Sequence, residues 1–360
     1  MRYPGFLSEG GTIGCIAPSF GCNIEPYHTA FLNAQRKWKE MGYQVLLGPN
    51  CYEGRGIGIS NTPEKCGEEV NDFFINQPCD VIISCGGGEL MCEVVSNIDF
   101  DAIADAEPKW YMGFSDNTNL TFLLPVLCDT AAIYGPCAPA FGMEPWHPVI
   151  KDSWALLTGE KTVVKGFDKW EKESLKTEEN PLEPYHVTED KHLVVFAGAD
   201  GSVAEGNEES PLVQSAGDSL VMEGRLIGGC LDCLSTLVGT RFDQVKAFQD
   251  RYQEDGFIWF MESCDLNPMG IRRAVWQLKE AGWFRYVKGF LIGRPLCFGE
   301  ELFGLDTYHA VYDILAEYDV PVVMDVDLGH LPPSMPIVSG GLAKVQIQGD
   351  DIELRYCFTN

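Results

Sequence analysis

Short apolar runs alternate with helical periods through the first third of the chain. Thr12 to Ala17 (TIGCIA) is an apolar run of strand length. From His28 to Met41, Phe31, Ala34, Trp38 and Met41 recur near helical spacing. Tyr43 to Leu47 is strand-like again. Pro63 to Asn76 predicts a helix opening on Pro, whose missing N–H costs nothing at that position. Val81 to Ser84 is a buried-type strand running into Gly86, Gly87 and Gly88, and Trp110 to Phe114 and Ala131 to Tyr134 follow. This alternation predicts an α/β fold, a parallel sheet with helices on both faces. Ligands of such sheets bind at the carboxyl ends of the strands.

From Gly166 to Ala216 the texture becomes charged, proline-containing and weakly periodic, as expected of a connection over the surface. Its Trp170, Tyr185 and Phe196 either cap a pocket, where a ring can stack on a base, or anchor the excursion to the core. A second module follows. Leu220 to Ile227, Phe257 to Met261, Val287 to Ile292 and Pro321 to Met324 are strand-like, and Pro268 to Ala281 and Asp306 to Tyr318 are helical. Leu342 to Tyr356 alternates around Gly349-Asp350-Asp351, the pattern of a closing hairpin. The expected organisation is a first domain over 1–165, a connection over 166–216 and a second domain over 217–360.

Charge narrows the classes of partner. The chain holds 53 Asp plus Glu against 26 Lys plus Arg, a formal charge of −27. Such a surface repels phosphate backbones and anionic lipid, which argues against nucleic-acid and membrane partners. The first residues lack the basic and apolar regions of a secretory signal, and no run approaches the roughly 20 apolar residues of a membrane helix. Fourteen cysteines, several inside apolar runs, are expected as reduced thiols in a cytoplasmic protein.

Several segments suit chemistry. In Trp110-Tyr-Met-Gly-Phe-Ser115-Asp116-Asn117 a strand ends, a Ser follows and a helix begins. That is the layout of a nucleophile elbow, although Asn117 replaces the usual Gly; the plain alternative is a Ser N-cap. The Gly86-Gly87-Gly88 loop suits close backbone approach to a ligand, or is simply a tight turn. It is not a dinucleotide or P-loop motif. Glu262 ends an apolar run and needs a partner, either a base or a salt bridge to Arg272 or Arg273. His330 lies in a Gly/Pro-rich loop just past a strand, while the other five histidines fit surface or capping roles. Asp325, Asp327 and His330 are a lesser candidate metal set. Cys230 and Cys233 lack a second pair for zinc and are expected to pack on a helix core.

Together these segments resemble the LD-carboxypeptidase family of serine peptidases over nearly the whole chain. The resemblance is carried by Ile16-Ala17-Pro18-Ser19, the glycines 86–88, Gly113-Phe-Ser115-Asp116 and Gly135-Pro136 in the first half. In the second half it is carried by Gly228-Gly229-Cys230-Leu231, Leu237-Val-Gly239-Thr240, Phe260-Met261-Glu262 and Gly329-His330. It implies two domains, an N-terminal α/β layer with Ser115 as nucleophile and a C-terminal β-rich α/β domain with Glu262 as acid and His330 as base. It also implies no cofactor, no metal and a homodimer. On that reading the Asp116 N–H and an N–H of Gly87 or Gly88 hold the oxyanion. Substrates of similar proteins are of two kinds, an L,D-linked cell-wall peptide and a microcin C-like aminoacyl-nucleotide; the length of the 166–216 segment favours the second. Three departures bear on substrate: Cys230 replaces a usual Asn, Gly88 replaces an aromatic residue, and the Asp-Arg pair near Ile271-Arg272-Arg273 is not intact. A ligand-binding protein with a degenerate site, or a nucleotide-dependent enzyme using the glycine loop, are the rival expectations.

Overall fold

The structure is a computed structural model and describes residues 1–196 and 219–358. Two sheets organise it. The first runs Ile337–Ser339, Ala132–Tyr134, Trp110–Gly113, Val81–Ser84, Thr12–Ile16 and Gln44–Leu47 in spatial order. Its last five strands are parallel. All four residues of Val81–Ser84 and of Trp110–Gly113 are buried. Helices cover both faces of a parallel sheet, so its central strands read as continuous apolar runs.

The second sheet runs Val163–Lys165, Asp351–Cys357, Leu342–Gln348, Ser219–Cys230, Phe257–Glu262, Val287–Gly293, Val322–Val326 and Val194–Phe196. Its middle is parallel from Ser219–Cys230 through Val322–Val326. Its outer strands are antiparallel. The expected hairpin is Leu342–Gln348 paired with Asp351–Cys357. Its alternating burial puts Ala343, Val345 and Ile347 inside and Lys344 and Gln346 outside, as period two requires.

The sheets exchange strands. Val163–Lys165 pairs with Asp351–Cys357, and Ile337–Ser339 crosses back to pair with Ala132–Tyr134. Within the expected connection, Lys169–Trp170 and Glu189–Asp190 form a small ribbon, and Val194–Phe196 is an edge strand of the second sheet. Its remainder, 197–216, lies outside the described residues.

The strand expected to end at Ile227 continues to Cys230. Gly228 and Gly229 extend it with φ of 150° and 145°, a region L residues avoid. A Cβ on Gly228 would lie 1.7 Å from the Phe260 carbonyl, and one on Gly229 would lie 2.5 Å from the Thr118 side chain. The glycine pair therefore lets the second sheet abut the helix that follows Ser115. There Cys230 N–H donates to Thr118 Oγ1 at 2.9 Å. An aromatic stack behind it, Phe122 on Trp283 and Trp283 on Trp259, ties the same helical segment to the second half.

Candidate active site

The carboxyl ends of both parallel sheets converge on one place. Val81–Ser84 delivers the glycine loop, Trp110–Gly113 delivers Ser115 and Ala132–Tyr134 delivers Tyr134. From the other sheet, Phe257–Glu262 ends on Glu262, and Val322–Val326 leads into the loop bearing His330.

Ser115 starts a 3₁₀ turn, Ser115–Asn117, continued by a helix from Thr118. Its φ is 63°, a strained value for a non-glycine residue and the conformation of a strand-to-helix elbow. Asn117 has a role that a Gly could not fill. Its amide donates to the Gly86 carbonyl at 2.7 Å and to the Phe114 carbonyl at 3.0 Å, while Tyr111 donates to its carbonyl. Gly113 makes room for it, since a Cβ there would approach Asn117 to 2.8 Å. So Asn117 clamps the elbow to the glycine loop.

Ser115, His330 and Glu262 form a chain of hydrogen bonds. His330 Nε2 lies 2.8 Å from Ser115 Oγ, and His330 Nδ1 lies 2.7 Å from Glu262 Oε2. The carboxylate fixes Nδ1 as the protonated nitrogen, which leaves Nε2 to accept from the serine. The Glu262 side chain is fully buried and that of His330 is 14% exposed. Burial pushes the Glu262 pKa up, but His330 and the Tyr134 hydroxyl outweigh it, and the net direction is down. For His330, burial disfavours the imidazolium, yet the Glu262 carboxylate prevails and the pKa is pushed up to about 11. Gly329, at φ 105°, is needed here: a Cβ on it would lie 2.7 Å from Glu262 Oε2.

The other expected residues also gather at the serine. A Cβ on Gly87 would lie 3.0 Å from Ser115 Cβ, so the loop backbone reaches the hydroxyl at van der Waals range. Gly88 and Asp116 line a cavity that opens from Ser115. The Asp116 carboxylate turns inward, accepting from Ser19 Oγ at 2.5 Å and Met91 N–H at 2.9 Å. Its backbone N–H belongs to the first turn, where amides have no partner within the helix.

Other expectations are corrected. Asp325 and Asp327 do not join His330 as a metal set. The Tyr308 hydroxyl donates to Asp325 at 2.6 Å, and the buried Asp327 pairs with Arg294 at 2.6 Å and Lys191 at 3.4 Å. Among the described residues no group of His, Cys, Asp and Glu could hold a metal ion. Arg272 pairs with Asp313 rather than Glu262. Cys230 and Cys233 line the cavity beside Ser115 instead of a helix core: the extended strand ends on Cys230 there, and the helix Leu231–Leu237 that follows carries Cys233. Trp170 is 5% exposed, packed edge-on against Phe298 and under the Arg294 guanidinium, and Phe196 is stacked on Tyr312. Both anchor their segment. Tyr185 alone of the three lines a cavity with Phe114 and His330. His147 caps its helix, accepting the Val149 N–H on Nδ1, whereas His309 lies in a first turn that Asp306 caps, its N–H donating to the Asp306 carboxylate at 2.8 Å.

One participant has no separate signal in the sequence. The Tyr134 hydroxyl donates to Glu262 Oε1 at 2.5 Å and accepts the Ser115 N–H at 3.0 Å. Only its place at a strand end before Gly135-Pro136 marks it.

The chain is similar to known proteins along nearly its whole length. The chain is 24% identical to the microcin C7 self-immunity protein MccF of Escherichia coli, over 97% of this chain and 94% of the relative. It is also 24% identical to a probable murein peptide carboxypeptidase of Bacillus subtilis, over 94% and 90%. A structure of MccF in complex with glutamyl sulfamoyl guanosine superimposes with a TM-score of 0.76 at 20% identity, covering 99% of both chains. A MccF-like protein from Bacillus anthracis gives 0.77 at 19%, covering 99% of this chain and all of the other. Residues 13–135 match the LD-carboxypeptidase N-terminal domain and residues 223–345 the LD-carboxypeptidase C-terminal domain, and the chain belongs to the LD-carboxypeptidase family.

Proposed function

We propose that the chain is a serine amidohydrolase in which Ser115, His330 and Glu262 act as nucleophile, base and acid. The observation that carries this reading is the position of His330, 2.8 Å from Ser115 Oγ and 2.7 Å from Glu262. His330 Nε2 takes the Ser115 proton as the hydroxyl attacks an amide carbonyl. The imidazolium that forms is stabilised by the buried Glu262. The Asp116 N–H and an N–H of Gly87 or Gly88 face the developing oxyanion. His330 then passes the proton to the leaving nitrogen, and water, activated by the same imidazole, releases the acid from Ser115.

The substrate is a non-standard amide, and the reading favoured is an aminoacyl-nucleotide, the class seen in the MccF complexes. Tyr185 beside His330 supports it by presenting a ring to the leaving-group side. Cleavage of an L,D-linked muropeptide is the second reading, favoured by the likeness to the murein peptide carboxypeptidase. The cytoplasm is the compartment in which either substrate would be met.

A fluorophosphonate probe tests the hydrolase, because only an activated serine reacts. Wild-type protein should be labelled at Ser115, and Ser115→Ala and His330→Ala should not. Labelling that survives in Ser115→Ala removes Ser115 from the role.

A further inference from the structure

The Cys-x-x-Cys of the sequence, Cys230 and Cys233, has no part in the proposed mechanism, and the fold brings it to the candidate site. Cys230 is the residue before the helix Leu231–Leu237, and Cys233 is the third residue within it. Residues three apart at a helix start share one face, with Cα atoms about 5 Å apart from the helical rise and radius. That separation lies inside the span of roughly 4.4–6.8 Å that a disulfide bridges. Both cysteines are free thiols, and each is a hydrogen-bond partner of the other. Both line the cavity at Ser115, whose free volume of about 60 Å³ admits small polar molecules.

Each residue also touches the proposed machinery. Cys230 is the partner of Glu262 across neighbouring parallel strands. Its thiol donates to the Asp232 carboxylate at 3.2 Å. The Cys233 thiol lies 3.7 Å from the Ser115 carbonyl and 3.8 Å from the Asp116 carboxylate, the acceptors it can serve. The Ser115 carbonyl belongs to the same planar peptide as the Asp116 N–H, so a donor on one end of that peptide orients the other. That N–H is one of those proposed to face the oxyanion.

The two thiols are not equivalent. The bond to Cys233, burial and the charges of Glu262 and Asp232 push the Cys230 pKa well up. For Cys233, the bond to Cys230 lowers the pKa, but burial and the charges of Asp116, Glu262 and Asp232 prevail, and the net direction is up. Cys233 is also the more open to the cavity, at 9% exposure against 1%. The thiolate is the reactive form, so these surroundings make oxidation slow and give the first attack to Cys233.

We propose that Cys230 and Cys233 form a dithiol site that is oxidised by hydrogen peroxide, and that its disulfide slows the chemistry at Ser115. The Cys233 thiolate attacks one peroxide oxygen. The O–O bond breaks, leaving a sulfenic acid and a hydroxide that takes up the proton released by the thiol. The Cys230 sulfur then attacks the Cys233 sulfur, the S–O bond breaks, and the departing hydroxide takes the Cys230 proton. Two thiols and one peroxide give one disulfide and two waters, with two electrons passed to the peroxide. Both S–H donors are gone, so the Ser115–Asp116 peptide loses the contact that orients it, and the new bond alters the side chain beside Glu262. The dithiol site stands on its own geometry, and its effect on turnover rests on the serine amidohydrolase reading.

The test uses the full chain, reduced with dithiothreitol, freed of the reductant and treated with hydrogen peroxide. Its two readouts are peptide mass mapping without reduction and the rate of fluorophosphonate labelling at Ser115. The peptide that carries both cysteines should become lighter by about 2 Da, for the two hydrogens lost. Labelling should slow by at least about tenfold and recover on adding dithiothreitol. Cys230→Ser and Cys233→Ser, each compared with its own untreated rate, should show no loss that dithiothreitol reverses. Peroxide that leaves the pair as thiols, links other cysteines instead, or carries Cys233 to an irreversible acid overturns the site. A disulfide that leaves Ser115 labelling unchanged, or a reversible loss that persists in both variants, overturns the control of Ser115. If the reduced protein is never labelled at Ser115, the hydrolase reading falls and the control with it, while the mass change still decides the dithiol site.

Discussion

Tyr134 reaches from the end of one sheet to Glu262 at the end of the other, its hydroxyl 2.5 Å from Oε1. The same oxygen accepts the Ser115 N–H at 3.0 Å. Glu262 thus has both carboxylate oxygens engaged, one by His330 and one by Tyr134. A buried carboxylate needs this, because each unfilled site exposes a charge to a medium that cannot solvate it. The tyrosine also ties the elbow of the first domain to the acid of the second.

Tyr134→Phe removes the donor to Glu262 and the acceptor for the Ser115 amide without emptying much space. Two buried polar groups lose a partner, so a loss of about 1–3 kcal/mol is expected in urea unfolding. With the elbow less fixed, kcat/KM should fall by roughly 10- to 100-fold. A variant as active as wild type would show that the elbow holds its geometry without the bridge.

The three proposed catalytic residues should behave as one unit. Ser115→Ala and His330→Ala should each cost about six orders of magnitude in kcat, and Glu262→Gln somewhat less. Ser115→Ala/His330→Ala should be no slower than either single variant. A further large drop in the double variant contradicts the shared unit.

The pH profile has a definite sign. The base must be neutral to accept the serine proton, and Glu262 holds the His330 pKa well above its ordinary 6.5. The acid limb of kcat/KM against pH therefore lies above 6.5, with activity rising as pH rises through it. Glu262→Gln removes the charge that favours the imidazolium and leaves burial, which opposes it. Its acid limb should move to lower pH as its maximum falls. A limb that stays in place in Glu262→Gln would show that Glu262 does not set the basicity of His330.

Much of this was legible in the chain because local pattern and tertiary demand agreed. Val81–Ser84 and Trp110–Gly113 are apolar because both faces are covered, and each is followed by the Gly or Ser that its carboxyl end needs. Glu262 at the tip of an apolar run required a partner, and His330 in a glycine-bearing loop supplied it. Legibility failed where the cause was non-local. Nothing near Gly228 announces that the Phe260 carbonyl lies where its Cβ would be, so the strand looked finished at Ile227. Ile337–Ser339 and Val163–Lys165 are three-residue strands whose partners lie in the other half of the chain. Asp327 resembled a ligand because the cations that neutralise it, Arg294 and Lys191, are 33 and 136 residues away.

Asp327 should prove structural. It is fully buried, pairs with Arg294 and Lys191, and accepts the Phe167 N–H at 2.8 Å just upstream of the His330 loop. Asp327→Ala leaves two cations buried without a counter-charge, for an expected loss of about 3–5 kcal/mol. Dialysis against EDTA should leave activity unchanged. Activity that is lost on dialysis and restored by a divalent ion would instead mark a metal-dependent hydrolase.

The final prediction separates Trp170 from Tyr185. Trp170 lies against Phe298 and beneath Arg294, and lines neither the cavity at Ser115 nor the one at His330. Trp170→Ala should destabilise the fold by about 3–5 kcal/mol, as loss of a buried Trp does. It should change kcat/KM for an aminoacyl sulfamoyl-adenosine and for an L,D-tetrapeptide by similar factors. Tyr185 stands in the cavity that His330 and Phe114 share, with its ring edge-on to His147 at 5.4 Å. If a nucleotide base occupies that cavity, Tyr185→Ala should reduce kcat/KM for the sulfamoyl-adenosine by about tenfold more than for the tetrapeptide, since base–aromatic stacking is worth ~1–3 kcal/mol. Measuring both substrates on both variants gives four numbers with a distinct pattern. Selective loss in Trp170→Ala alone would mean that the indole leaves its packed site to meet substrate. Equal losses on the two substrates in Tyr185→Ala would remove base stacking at that ring and favour the cell-wall peptide as the substrate.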